Sequence, residues 1–286
     1  PTRKFMLKSD LNELTLFFDL EWVPDANAAR RLYDVPDDAS EREAIERLWR
    51  ETKGYSETEC PKPFVKYLFS RVVSIAFLSR KVVWRDGVRT TDFTLNSLPK
   101  LPTAGDRPDE AQIIERFLYV IGAREPSLVG FNSSESDLQV LVQRALINEL
   151  SAPQFCERPA KPWDGRDYFY RYSEEHLDIL KLLSSGAMKP RLNEIAKLCG
   201  FPGKIDIDGE QVVDLWLAGE IDKIVEYNQL DVLNTYLVWL RIVHFCGKLS
   251  EEDYAVEQDE FRTFLESEAA KPGTDHITQF IAHWEQ

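Results

Sequence analysis

Asp19 and Glu21 stand two residues apart in the apolar run Leu16-Phe17-Phe18-Asp19-Leu20-Glu21-Trp22. In a strand, residues i and i+2 share a face. The two carboxylates therefore sit side by side while Leu16, Phe18 and Leu20 enter a core. Like charges at that spacing repel, and removal from water adds to the cost, so a proton or a cation must compensate. A divalent metal held by carboxylate oxygens does so, which makes this strand an enzyme candidate. The triplet alone is a weak signal. With 49 acidic residues in 286, about two Asp-x-Glu triplets are expected by chance. The other one, Asp208-Gly209-Glu210, lies in a polar turn where solvated carboxylates need no partner.

Two more segments carry candidate carboxylates. In the helical pattern around Tyr227-Asn228-Gln229-Leu230-Asp231, residues Ile224, Tyr227, Asp231, Val238 and Ile242 share one stripe. Asp231 thus falls on the core-facing side, with a phenol one turn away that can position a water. A similar pair, Tyr33 and Asp37, is interrupted by Pro36. The third segment, Gly130-Phe131-Asn132-Ser133-Ser134-Glu135-Ser136-Asp137, follows a short apolar strand and opens a helix. Asp137 then lies in the first helical turn, where Ser134 and Asp137 also suit ordinary helix capping.

The elements that must carry these residues are readable in outline. A strand is expected near Glu13 to Glu21, followed by a polar insertion from Pro24 to Pro63. Within it Ser40-Glu41-Arg42-Glu43 forms a capping box ahead of Ile45, Leu48 and Trp49. Strands at Val72–Leu78 and Val82–Trp84, a turn at Asp86-Gly87 and a strand through Phe93 complete a β-meander. The period then changes: helix over Pro108–Ile121, strand over Ser127–Asn132, helix over Asp137–Leu150 and a strand over His176–Leu180. Helices punctuated by Gly200, Pro202, Gly203 and Gly209 run from Leu192 to about Gly247. An acidic tail follows, with a last helix around Phe261–Ala269. A meander followed by alternating helices and strands predicts an α/β fold, a mixed five-stranded sheet flanked by helices.

Composition narrows the function classes. Hydrophobic residues make up 43% of the chain, enough for a sizeable core. No run of eighteen apolar residues and no signal-like start is present, so a cytoplasmic location without membrane contact is expected. The four cysteines, Cys60, Cys156, Cys199 and Cys246, form no zinc pattern and read as reduced thiols. The formal net charge of −14 argues against a protein that merely coats nucleic acid, because phosphate neutralisation supplies most of that affinity. An enzyme that meets phosphate through bound cations and a few local basic groups is compatible with it.

In chain order the three motifs are Asp-x-Glu, Asn-x4-Asp and Tyr-x3-Asp. Together they resemble the DEDD superfamily of 3'-5' exonucleases in its tyrosine-bearing branch. The closer resemblance is to predicted exonucleases related to the proofreading domain of family-B DNA polymerases. The stretches Leu128-Val129-Gly130-Phe131-Asn132, Arg171-Tyr172-Ser173, His176-Leu177-Asp178 and Cys199-Gly200-Phe201-Pro202-Gly203-Lys204 support it. The resemblance implies a ribonuclease-H-like domain over residues 1–249 with a helical insertion at about 25–63, and an acidic tail over 250–286. It implies a two-metal mechanism with Mg²⁺ or Mn²⁺. Asp19 would bridge both ions, Glu21 and Asp231 would hold the nucleophile-side ion, Asp137 the other, and Tyr227 would orient the attacking water. Leu20, Trp22, Asn132 and Ser136 would contact the substrate, the 3' end of single-stranded DNA or RNA, and nucleoside 5'-monophosphates would be released. The second motif of the family usually reads Asn-Gly-Arg-Gly-(Phe/Tyr)-Asp, so this chain lacks both glycines, the basic residue and the aromatic. A non-cleaving relative that binds nucleic acid or a protein, and a metal-dependent hydrolase of small nucleotides or short oligonucleotides, are the alternatives. Arg166, Arg171, Lys189, Arg191, Lys197 and Lys204 are candidate phosphate contacts, while Trp163, Tyr168, Phe169 and Tyr170 are candidate stacking groups. His176 and Asp178 are expected to form a structural pair.

Overall fold

A computed structural model describes residues 11, 14–161, 166–170, 175–184, 186, 188–205 and 209–284. Trp163, Arg171 and Asp208 fall outside these residues, as does the Arg171-Tyr172-Ser173 stretch. In chain order the elements are β1 (Thr15–Pro24), α1 (Ala26–Tyr33), α2 (Glu41–Arg50), β2 (Ser70–Arg85), β3 (Val88–Leu98), α3 (Glu110–Arg124), β4 (Ser127–Gly130) and α4 (Asp137–Ile147). There follow α5 (Pro153–Cys156), β5 (His176–Asp178), α6 (Ile179–Leu183), α7 (Leu192–Leu198), α8 (Val212–Ala218), α9 (Ile221–Phe245), α10 (Glu251–Ala269) and α11 (Asp275–Trp284). Short 3-10 turns occupy Tyr67–Phe69 and Gly209–Gln211.

The sheet order is β3-β2-β1-β4-β5. β2 runs antiparallel to both neighbours, while β1, β4 and β5 are parallel. This is the ribonuclease-H-like mixed sheet that the motif order implies. Alternation along β1 divides the core. Leu16, Phe18 and Leu20 pack with Ile114, Phe117 and Leu141 of α3 and α4. Phe17 points the other way and meets Tyr236 and Trp239 of α9 edge-on, with ring centroids 5.2 and 5.0 Å apart. By the same parity Asp19 and Glu21 face α9.

Local chemistry explains the parts that were legible. Ser40 Oγ accepts from Glu43 N at 3.3 Å and Glu43 Oε2 accepts from Ser40 N at 2.8 Å, the reciprocal box that starts α2. Asp86 and Gly87 both have positive φ (52° and 80°), as a two-residue hairpin of primed type requires. Three expected boundaries need correction. The two strands expected over Val72–Leu78 and Val82–Trp84 are one 16-residue strand, β2. Its polar middle does not break it because Arg80, fully buried, is held by Glu257 of α10. The strand expected over His176–Leu180 ends at Asp178, whose carboxylate caps α6 through Leu180 N at 3.0 Å. The acidic tail is helical from Glu251 onward, and Phe261, Leu265, Ile277 and Phe280 enter the same core as Phe17. Apart from Glu257, which is buried against Arg80, most of its acidic residues lie on outward faces, which is why composition alone hides the buried stripe.

Among the described residues no helix is long and apolar enough to cross a membrane.

Candidate active site

The site lies where β1 outruns β4. β4 pairs with β1 only as far as Phe17↔Val129, so beyond that point β1 has an open edge. Leu20 N, left without a strand partner there, donates to Asp137 Oδ1 at 3.0 Å. On the face toward α9, one carboxylate oxygen each of Asp19, Glu21 and Asp231 lies within 4.8 Å of the other two. Asp231 is buried at 8% exposure, and Asp19 and Glu21 are half-buried at the mouth. A strand and a helix 210 residues apart in sequence thus bring three carboxylates together.

The electrostatics follow from that crowding. Burial, then the charges of Asp137, Glu21 and Asp231, hold the Asp19 carboxyl well above the usual carboxylate range, opposed by a hydrogen bond from Asn228. Burial and Asp231 do the same to Glu21, with Lys204 pulling the other way. Burial pushes Asp137 up to about 6, against hydrogen bonds from Ser136 and the Leu20 amide. Such groups want a proton or a cation. The donors are all hard carboxylate oxygens, the set a divalent ion such as Mg²⁺ or Mn²⁺ prefers. Asp137 stands just outside the group of three, its oxygens committed to Leu20 N and to Ser136 Oγ (2.6 Å).

Tyr227 lies one turn before Asp231 on α9 and is 5% exposed. Its hydroxyl is hydrogen-bonded to Asp231, and burial with the nearby carboxylates keeps the phenol protonated. Lys204 Nζ donates to the same hydroxyl at 2.5 Å and lies 4.9 Å from the ring centroid. Lys204 is set by Gly203, which has a φ of +67° and no room for a Cβ: one built there would meet Asn193 Oδ1 at 2.5 Å. Asn193 Oδ1 instead accepts from Lys204 N at 2.8 Å, and Asn234 Oδ1 accepts from Gly203 N at 3.0 Å.

Inspection of motifs alone missed Asn228 and Ser74. Asn228 Nδ2 donates to Asp19 Oδ2 at 2.6 Å, and its Oδ1 accepts from Ser74 Oγ at 2.9 Å. The signal was present: Asn228 sits between Tyr227 and Asp231 in a helix whose other nearby positions are mostly apolar.

The altered loop is built, not slack. Asp178 accepts from Asn132 N (2.9 Å), Ser134 N (3.1 Å) and the Ser134 hydroxyl. Ser133 Oγ lies 2.9 Å from His176 Nε2. Burial drops His176 to about 4, so its ring is neutral. His176 and Asp178 therefore anchor the two serines rather than one another, and Ser134 serves Asp178 instead of capping α4. Asn132 takes a φ of +63°, which asparagine tolerates. Gly130 is needed for closeness, since a Cβ there would stand 2.4 Å from the Ser133 Cβ and Oγ.

Of the expected substrate contacts, Trp22 is half-buried against the core between β1 and α3–α4, and Asn132 is half-buried in the loop. Leu20 and Ser136 are buried, at 3% and 6% exposure, and the Leu20 amide and the Ser136 hydroxyl both donate to Asp137. Tyr168 is core, its hydroxyl bonded to Pro126 O at 2.9 Å. Phe169 is exposed but leans edge-on against Phe155. Arg166 pairs with Glu175, and Lys189 pairs with Glu135 at 3.2 Å.

The family model for predicted 3'-5' exonucleases related to the exonuclease domain of PolB matches residues 62–284, well over half of the chain. The chain belongs to that family. The matched range takes in Asp137, Tyr227 and Asp231 and runs through α11, while the strand carrying Asp19 and Glu21 precedes it. A DNA polymerase from Archaeoglobus fulgidus is 27% identical over 154 residues, covering 50% of this chain and 19% of the polymerase. The family B DNA polymerase structure from Pyrobaculum calidifontis aligns over 95% of this chain and 28% of its own, at 14% identity and a TM-score of 0.47. The chain thus spans a minor part of each polymerase.

Proposed function

We propose that the protein is a metal-dependent exonuclease that removes nucleotides from the 3' end of single-stranded DNA or RNA and releases nucleoside 5'-monophosphates. The observation that carries this reading is the convergence of Asp19, Glu21 and Asp231 within 4.8 Å, beside Tyr227 and Asp137, in a chain of this family. Asp19, Glu21 and Asp231 would hold divalent ions, Mg²⁺ or Mn²⁺, with Asp137 at the edge of the cluster. Two bound ions would supply charge stabilisation to the attacking and leaving oxygens of an in-line displacement.

The remaining work falls to side chains of the chain. Tyr227, protonated and fixed between Asp231 and Lys204, presents its hydroxyl to orient the attacking water. Lys204 brings a positive charge beside Glu21 and the phenol, where a phosphate would accumulate negative charge. Asn228 holds the Asp19 carboxylate in one orientation. Asp178 and His176 hold the loop that carries Asp137, so loss of the loop glycines leaves the Asp137 position intact.

The test is incubation with end-labelled single strands and Mn²⁺ or Mg²⁺, beside an Asp19→Ala variant, a 3'-terminal label being read as released mononucleotide and a 5' label as a ladder of shortened strands. Release of 5'-mononucleotides by wild type and not by the variant is expected. A wild type that binds strands without releasing product would instead identify a non-cleaving relative, and equal activity in the variant would refute the site.

A further inference from the structure

Residues 62–69 read Lys-Pro-Phe-Val-Lys-Tyr-Leu-Phe and lead into β2. Val65 is buried, which anchors the segment, while Phe64 is 68% exposed. Three rings form a continuous run. Trp22, next to Glu21, meets Tyr67 edge-on at 5.8 Å and 88°, and Tyr67 meets Phe64 at 5.5 Å and 90°. Trp22 and Tyr67 pack against the core that holds Leu138 and Leu141 of α4, and the run ends in solvent at Phe64. The Tyr67–Phe69 turn packs against α4, the helix that Asp137 opens. Arg144 of α4 fixes the backbone there by donating to Leu68 O at 3.3 Å.

Packing accounts for Trp22 and Tyr67, but not for Phe64, which leaves most of a large apolar ring in water. Lys66 is exposed in the same stretch, in a chain of net charge −14. The loop between Asn132 and Asp137 carries no ring. An exposed aromatic with a neighbouring cation, continuous with a phosphodiester site, fits an unpaired base and its backbone phosphate.

We propose that Phe64, backed by Tyr67 and Trp22, stacks a base near the 3' end of the single strand and sets its approach to the acid cluster. This rests on the exonuclease reading of that cluster, so binding and cleavage are measured separately. Binding of a 5'-fluorescein oligothymidylate is followed by anisotropy in Ca²⁺, and release of mononucleotides is followed in Mn²⁺. Phe64→Ala is expected to weaken Kd roughly 5- to 150-fold, the range of one base–aromatic stack, and Phe64→Trp to restore it. Because Phe64 is exposed, the melting temperature should not move. Strands with abasic 3'-terminal residues should bind wild type as weakly as intact strands bind Phe64→Ala, with no further loss in the variant. A Kd unchanged by Phe64→Ala, or a loss that persists on abasic strands, overturns the stacking role. Strand binding that depends on Phe64 with no mononucleotide release supports stacking and overturns only the exonuclease reading.

Discussion

Replacing Asp19 by Asn should stabilise the metal-free protein and remove its response to metal. The substitution keeps the shape and an oxygen that can still accept from Asn228, so it changes mainly charge. Asp19 faces two carboxylates within 4.8 Å, and each such pair costs about 3.5 kcal/mol at an effective dielectric of 20 and about 0.9 kcal/mol in water. Asp19 and Glu21 are half-buried, which places the real value toward the screened end, so relief of two pairs is worth ~2–3 kcal/mol. For 286 residues the unfolding entropy is about 0.6 kcal/mol/K, so the melting temperature should rise by about 3–5 °C.

The effect has a defined pH dependence. The folded pKa values of Asp19, Glu21 and Asp137 are raised, that of Asp137 to about 6. The folded chain therefore binds more protons than the unfolded one, and metal-free stability falls as pH rises from the ordinary carboxylate range through about 6. The gain from Asp19→Asn should be large at pH 8 and should shrink at pH 4. Added Mn²⁺ at a hundredfold excess over its Kd should stabilise wild type by about 2.7 kcal/mol and the variant far less. Thermal melts at both pH values, with and without Mn²⁺, check this. A metal-free variant that melts below wild type at pH 8, or one with an undiminished Mn²⁺ response, would refute the argument.

Lys204→Met should lower the cleavage rate roughly 10- to 100-fold, because a hydrogen bond to a charged group is worth ~1.5–3 kcal/mol; a rate equal to wild type at saturating Mn²⁺ would remove Lys204 from the mechanism. Glu257→Ala strands the buried Arg80 guanidinium and should cost about 3–5 kcal/mol, a fall of about 5–8 °C by thermal melting, whereas the Arg80→Met/Glu257→Leu double variant should lose less. Gly130→Ala drives a Cβ into Ser133 and should cost ~1–3 kcal/mol and part of the activity. Adding Ser133→Gly removes the clashing atoms together with the bond to His176, so it should restore part of both, and a double variant no better than Gly130→Ala would show that the clash is not the main cause.

The outline of this protein could be read from the chain because much of its information is local. A period of two placed Asp19 and Glu21 on one face of β1, and a period near 3.6 placed Tyr227 and Asp231 on the buried stripe of α9. The Ser40–Glu43 box and the Asp86-Gly87 turn declared themselves through side chains that bond or bend their own backbone. Where a partner is remote, local reading stopped short. Arg80 looks like a strand breaker until Glu257 arrives from α10. Ser134 looks like a cap until Asp178 takes its hydroxyl.

The sequence by itself determined the set of chemical groups, their faces and the class of sheet that carries them. Only the tertiary structure decided that three carboxylates from distant segments meet within 4.8 Å. It also decided that Asp137 spends its oxygens on Leu20 and Ser136, that Lys204 reaches Tyr227, and that the Trp22, Tyr67 and Phe64 rings meet in one run. The physical reason is range. Periodicity and capping act over a few residues and leave a pattern in the chain, whereas a charge or ring contact across the fold depends on which strand ends first and which helix crosses it.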